Sequence, residues 1–320
     1  MMLTATPFWA AWLDEAVRAL TTRMPVGTFL SFGFNVRAML AVILVSLMCG
    51  AIGSLVVGNR MAFFSDALAH CAFAGVSLGF LLALFAGVRG QAAFNHWIAF
   101  IMVTFGVGVG IAIAYVREKT ALASDTVIGV FFAGAIGFGA MFFAVANKWR
   151  NFNPEVFLFG DPQTVGAEDL VILLLLAAVT ALFLGFFYNG LVFTSFNPSL
   201  ARSRRVPARL CNYLFIILLA LLVNLCVKTV GALLINALLI VPAATGSNVC
   251  RNLRQLFWTT VLLCLFTGTM GHWLSWAVRL PMGNGQRLEF GSAGTIVVLS
   301  VLLFFASMVV GPRLRGRQAA

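Results

Sequence analysis

Asp66 and His70 are the residues in this sequence best placed to do chemistry, a carboxylate and an imidazole four positions apart at the head of an apolar run. On a helix those positions share one face, with Cβ atoms about 5–6 Å apart, so both side chains can grip one ion. If the run crosses a bilayer from Arg60 inward, about 1.5 Å of rise per residue puts His70 roughly 15 Å deep, near the middle. An ionisable group at that depth costs a few kcal/mol even on mild scales, which asks for a functional reason. Carboxylate oxygen with imidazole nitrogen suits borderline divalent ions such as Zn²⁺ or Mn²⁺ and does not suit Cu⁺, which prefers sulfur. The competing reading is structural: an Asp–His hydrogen bond that locks two helices together. Spacing alone leaves both open. Two donors are fewer than a tight tetrahedral zinc site uses, so a metal held here would be held weakly and in passing.

Other reactive side chains carry less. His96 stands beside Trp97 and His272 beside Trp273, both compatible with an interfacial position. The six cysteines (Cys49, Cys71, Cys211, Cys226, Cys250 and Cys264) show no CxxC spacing, and most sit in apolar runs where a thiol behaves as a small hydrophobe. No GxxxxGK[ST] segment is present, so the chain is not read as an enzyme and energy for any work must come from a partner or a gradient.

The elements that must position the pair are set by composition. With 61% hydrophobic residues, 10% charged residues and a mean hydropathy of +1.00, the 320-residue chain is too apolar for a soluble domain. It reads as an all-α, polytopic integral membrane protein of about eight or nine transmembrane helices, since a membrane barrel would alternate in short segments. Apolar runs fall near Ala38 to Val57, Phe63 to Phe85, Trp97 to Val116, Thr126 to Ala146, Leu170 to Tyr188, Cys211 to Val227, Val230 to Ala244, Leu256 to Val278 and Ala293 to Val310. The seventh is short and is expected to end at Pro242. Residues 1–37 form an N-terminal interfacial segment built around an amphipathic stretch from Phe8 to Leu20, residues 38–311 the transmembrane domain, and residues 312–320 a basic cytoplasmic tail.

Net charge is +11, and alternation places twelve Lys and Arg on the side of the Arg202 to Arg209 loop against eight on the other. That basic side is cytoplasmic, and the charge marks topology in a bacterial cell (inner) membrane with its lipid as surroundings, not nucleic acid as a partner. Paired glycines (Gly50 and Gly53, Gly75 and Gly79, Gly106 with Gly108 and Gly110, Gly134 with Gly137 and Gly139) predict close helix approach.

Three ordered blocks resemble one family. Asn59 to Phe80 is similar to a signature R-M-S-F-x-G-D-A-L-A-H-x-x-x-x-G-V-A, Phe157 to Asp161 with Glu168 to Leu170 resembles an external loop, and Val230 to Thr245 is similar to V-G-x-L-L-v-x-A-L-L-I-x-P-A-A-T-A. The pattern resembles the permease subunit of zinc/manganese-type metal ABC transporters, often called the ABC-3 family, over roughly Ala38 to Val310. The resemblance implies an ATP-driven importer of divalent metal ions, with a homodimer of permeases, a cytoplasmic ABC ATPase dimer and an external metal-binding protein. It implies that Asp66 and His70 coordinate the passing metal and that no cofactor is bound permanently. It assigns Asn197, Leu200, Ala201, Arg202, Arg204 and Arg205 to an ATPase-coupling loop, and Gly231, Asn236 and Pro242 to a pathway or packing motif.

The chain also departs from that pattern. Ser65 replaces the usual Gly before Asp66, and Phe131-Phe-Ala-Gly134 stands in the fourth span where zinc relatives can carry a His, which argues against a second internal ligand from that span. Asn284 to Phe290 is an insertion before the last span, and the Arg202 to Arg205 loop is unusually basic and lacks a Gly. Ala69, where manganese relatives often have Ser, tilts the expected cargo toward zinc. A different class of function stays open: a secondary carrier in which Asp66 and His70 relay protons.

Overall fold

The computed structural model describes residues 8–25, 27–59, 61–88, 91–120, 122–146, 160, 162–196, 207–281 and 287–316. Its elements are α1 (Phe8–Thr21), α2 (Gly33–Gly58), α3 (Ala62–Phe85), α4 (Gln91–Lys119), α5 (Ser124–Ala146), α6 (Ala167–Phe196), α7 (Ala208–Val230), α8 (Ala232–Val249), α9 (Leu253–Ala277), the strands β1 (Arg279–Pro281) and β2 (Arg287–Glu289), and α10 (Ser292–Gly316). Among the described residues eight helices, α2 to α8 and α10, are long and apolar enough to cross a membrane. The ninth long helix, α9, is diluted by Gln255, Thr259, Thr260, Thr267, Thr269, His272 and Ser275. The all-α reading therefore holds, with one short exception. Arg287 to Glu289, inside the inserted stretch, pair antiparallel with Arg279 to Pro281.

The chain forms two compact units, Met1–Ser54 with Phe159–Leu182 and Thr229–Ala320, and Leu55–Leu158 with Phe183–Lys228. In the first, α8, α9 and α10 pack against one another, and α2 joins them through glycine. A Cβ on Gly50 would stand 2.7 Å from the Val261 Cα of α9, and one on Gly53 would stand 2.5 Å from the Leu239 carbonyl of α8. Only hydrogen fits there, which is how two backbones come so close without a hydrophobic force to drive them. Helix α1 has a buried side of Ala10, Leu13 and Val17 and an exposed side with Trp9 and Trp12. Asp14 accepts from Arg37 Nη1 at 3.0 Å, tying α1 to the first turns of α2.

Helix α8 corrects one expectation. It does not stop at Pro242 but runs through it to Val249. A proline in a helix deprives the carbonyl four residues back of its donor, here Leu238. In hydrocarbon that loss must be made good within the protein. Cys264 on α9 does so, its thiol donating to the Leu238 carbonyl at 3.1 Å. The last helix likewise continues past Val310 to Gly316, carrying helical backbone into the stretch read as a tail.

In the second unit α3 packs on α4 and α5, and α4 packs on α5. Glycine again sets the spacing: a Cβ on Gly75 would lie 2.9 Å from the Met102 Cα, and one on Gly139 2.9 Å from the Phe73 ring. Gly106 of α4 lies directly against the Asn224 amide of α7. Gly108, Gly134 and Gly137 instead face open space, so part of the glycine pattern does not mark contacts.

Candidate functional site

The turn that launches α3 is fixed before the pair is reached. Asn59 closes α2 by donating side-chain Nδ2 to the Leu55 carbonyl at 2.9 Å. Met61 is buried and occupies the position before the helix, with its carbonyl taken by Phe64 N–H at 3.0 Å. Arg117, at the end of α4, reaches both neighbours: Nη1 donates to Met61 Sδ at 3.4 Å and Nε to Ser124 Oγ, the first residue of α5, at 3.1 Å. One guanidinium thus holds the start of α3, the end of α4 and the start of α5. From sequence Arg117 counted only as a cytoplasmic charge; its place between two turns was the missed signal. Ser65, the departure from Gly, is buried and satisfies its hydroxyl on the Ala62 carbonyl at 3.1 Å.

One turn later the pair stands on one face. His70 Nδ1 is 3.7 Å from Asp66 Oδ1 and 2.9 Å from the Asp66 backbone carbonyl. A carbonyl only accepts, so the shorter contact needs the ring hydrogen on Nδ1, and in the neutral ring that leaves Nε2 the lone pair with which an imidazole binds a metal. Protein leaves 24% of the His70 side chain and 38% of the Asp66 side chain uncovered. The contact that Asp66 makes with His70 lies within one helix, so it does not lock two helices together. Across the packed surface, the Phe132 ring of α5 meets the His70 ring edge-on, centroids 4.7 Å apart and planes 66° apart. The fourth-span position where a third donor could stand is therefore an aromatic wall. Among the described residues no group of three or more His, Cys, Asp and Glu comes together.

The other predicted residues separate clearly. Gly231, Asn236 and Pro242 belong to the first unit, where Gly231 precedes α8 with φ +88°. Gly160, from the second sequence block, has φ +64° and presses its backbone on Val230 and Gly231 so closely that a Cβ would collide. Two left-handed glycines thus bring two separate blocks together. Asn197, Leu200, Ala201, Arg202, Arg204 and Arg205 lie outside the described residues. The helix that follows them is anchored: Glu118 on α4 accepts from Arg209 Nε at 2.8 Å and from Tyr213 OH at 3.0 Å on α7. His272 is enclosed in the first unit, edge-on to Phe29 at 5.4 Å, and not offered to a headgroup layer. His96 is exposed at the start of α4.

Among the described residues, eight helices long enough to cross a membrane, glycine at the helix contacts within each unit, and a partly uncovered Asp–His pair in the second unit fit a multi-pass transport protein. The chain belongs to the ABC 3 transport family, whose model matches residues 31–311. It is a multi-span permease subunit of the metal ABC transporter class, in the bacterial cell (inner) membrane, and is not by itself an enzyme. Among proteins it resembles, the manganese import system permease protein ScaB of Streptococcus gordonii is 28% identical over 286 residues, 89% of this chain and 94% of that one. The manganese transport system membrane protein MntC of Listeria innocua is 23% identical over 284 residues, 89% of this chain and 93% of the relative. Among solved structures, PsaBC from Streptococcus pneumoniae in complex with Fab superposes with a TM-score of 0.70 at 25% identity, covering 89% of this chain and 94% of that one.

Proposed function

We propose that this chain forms the membrane path of an ATP-driven importer of divalent metal ions, in which Asp66 and His70 hold the ion on its way through. The observation that carries the reading is the ordered pair itself: Nδ1 of His70 committed to the Asp66 carbonyl at 2.9 Å, with Asp66 Oδ1 3.7 Å from the same ring. A hydrogen bond on the other ring nitrogen orients a ligating imidazole before the metal arrives. Two donors with Phe132 opposite make a shallow stop, which suits conduction: the ion must be able to leave. Both relatives described above are named for manganese, and a carboxylate oxygen with one imidazole is acceptable to that ion, so manganese replaces zinc as the first cargo to test. Zinc remains the competitor.

Work comes from outside this chain. A cytoplasmic ABC ATPase dimer, docking at the loop with Ala201 and Arg202 to Arg205, drives a pair of permease subunits, and an external metal-binding protein delivers the ion. Gly231, Asn236 and Pro242 shape the path or its packing. No cofactor is held permanently.

The test is uptake of radioactive Mn²⁺ into proteoliposomes that contain the permease, its ATPase and its binding protein, with Zn²⁺ as competitor. Asp66→Ala and His70→Ala should each abolish uptake while dimer formation and basal ATP hydrolysis persist. Full transport by both variants overturns the role of the pair. Uptake without ATP by the chain alone overturns the importer and points to a proton-coupled carrier.

A further inference from the structure

A cavity of about 850 Å³ opens in the first unit, within the usual size of a ligand site, and the metal pair does not use it. Its walls come from one end of four segments: Gly160 and Gln163, the N-terminal turn of α8 at Leu233, the last turn of α9 from Leu274 to Val278, and α10 from Ser292 to Leu302.

The two ends of the cavity differ in chemistry. At one end is the start of α10, where Gly291 supplies no capping side chain and the first turn carries no acid. Helix geometry leaves the first N–H groups without an internal acceptor and makes that end electropositive. Ser292 lines the cavity there, is 3% exposed, and its hydroxyl has no hydrogen-bond partner among the described residues. The other end is apolar: Val298, Leu299 and Leu302 on α10, with Val298 59% and Leu302 60% exposed, so the wall opens sideways. The ten helical steps from Ser292 to Leu302 cover about 15 Å, half of a roughly 30 Å hydrocarbon core and so the depth of one leaflet.

We propose that this cavity is a site for a glycerophospholipid, its phosphate at the α10 N-terminus beside Ser292 and one acyl chain along Val298 and Leu302. The gradient of polarity follows the helix axis as a lipid's own gradient follows the membrane normal. A helix N-terminus favours a phosphate oxygen, and a laterally open apolar wall favours a chain already dissolved in the bilayer. The inference is independent of the cargo and of Asp66 and His70.

Gly294 offers a clean way to close the site. A Cβ there meets nothing within 4 Å and Gly294 lines the cavity, so Gly294→Phe adds bulk on the cavity wall with no contact at Cβ to relieve, and loses a helix-weakening glycine. The full-length chain, delipidated in detergent, is titrated with phosphatidylglycerol, with diacylglycerol of the same chains, and with inorganic phosphate, and read by native mass spectrometry and thermal melting. Phosphatidylglycerol should stay bound at one molecule per chain and raise the melting temperature saturably. Diacylglycerol should bind at least about tenfold more weakly, and phosphate alone should give no shift at the same concentration. Gly294→Phe should melt like the parent without lipid and lose at least about tenfold in phosphatidylglycerol affinity. Equal binding by Gly294→Phe, equal binding of diacylglycerol, or a dimer that dissociates only in Gly294→Phe, marking a second copy as the occupant, each overturns the proposal.

Discussion

The two units place the polar bonds that join their helices in different parts of the fold. In the first, polar side chains inside the bundle join one segment to the next: Cys264 on the carbonyl freed by Pro242, Asn248 Nδ2 on Ser307 Oγ at 3.1 Å, Ser275 Oγ on the Phe290 carbonyl at 2.7 Å. In the second, the polar bonds between one helix and the next sit at the helix ends, in Arg117 and Glu118, while Asp66 and His70 keep part of their surface uncovered inside a span. Polar groups that protein completes hold helices together. Those it leaves partly open are available for something that comes and goes.

That contrast can be broken by crowding the helices themselves, where the largest effect is expected. Gly106→Leu drives a side chain into the Asn224 amide, which is fully buried in α7, whereas Gly108→Leu two residues on meets only open space. A leucine forced against an amide that is fully enclosed overpacks the helix contact, which costs about 1–3 kcal/mol or more. Gly106→Leu should fail to give a monodisperse protein on size exclusion, while Gly108→Leu should express and melt like the parent. Equal behaviour of the two would mean that the α4–α7 contact does not define the second unit.

Next in size are the pair's own substitutions. His70→Gln keeps a hydrogen-bonding side chain but loses the imidazole lone pair, and Asp66→Asn keeps shape but loses charge. Each should lower ATP-dependent Mn²⁺ uptake at least about tenfold, the lower bound for losing a metal-orienting contact, with melting temperature changed little because both side chains are partly uncovered. A loss of stability in place of transport would return the pair to a structural role.

Phe132 gives a gentler and opposite change. Its ring packs at a steep angle on His70 with centroids 4.7 Å apart, so Phe132→His puts a second imidazole where the wall now stands. Three donors begin to approach a closed site. Metal bound by the purified chain should tighten by about tenfold, and turnover should fall because release slows. Calorimetry for affinity beside uptake for turnover separates the two, and faster turnover with tighter binding would contradict a shallow stop.

Much of this arrangement is legible in the chain. Apolar runs of about twenty residues place the spans, and the four-residue spacing of Asp66 and His70 puts them on one face because a helix has one period. What the runs hide is how their ends are joined. Arg117 reads as one more basic loop residue because its partners, Met61 and Ser124, are 56 and 7 positions away. The insertion from Asn284 to Phe290 carries no strong strand pattern, and only its pairing with Arg279 to Pro281 makes β1 and β2. Pro242 misleads for a similar reason, since the residue that lets the helix continue, Cys264, is 22 positions on and on another helix.

The smallest effect tests that last contact. The bond from Cys264 to the Leu238 carbonyl exists because Pro242 leaves that carbonyl without its helical donor. Polar side-chain bonds inside membrane proteins average about 0.6 kcal/mol, so Cys264→Ala should destabilise by about that amount together with the small loss of packing. Cys264→Ser should keep most of the bond. In Pro242→Ala the N–H returns and the carbonyl is satisfied within α8, so Cys264→Ala made in that background should cost less than in the parent. A double-mutant cycle by thermal or denaturant unfolding in detergent reads the difference. A coupling of zero would mean that α8 passes its proline without help, and that the first unit completes its polar groups less strictly than its other pairs indicate.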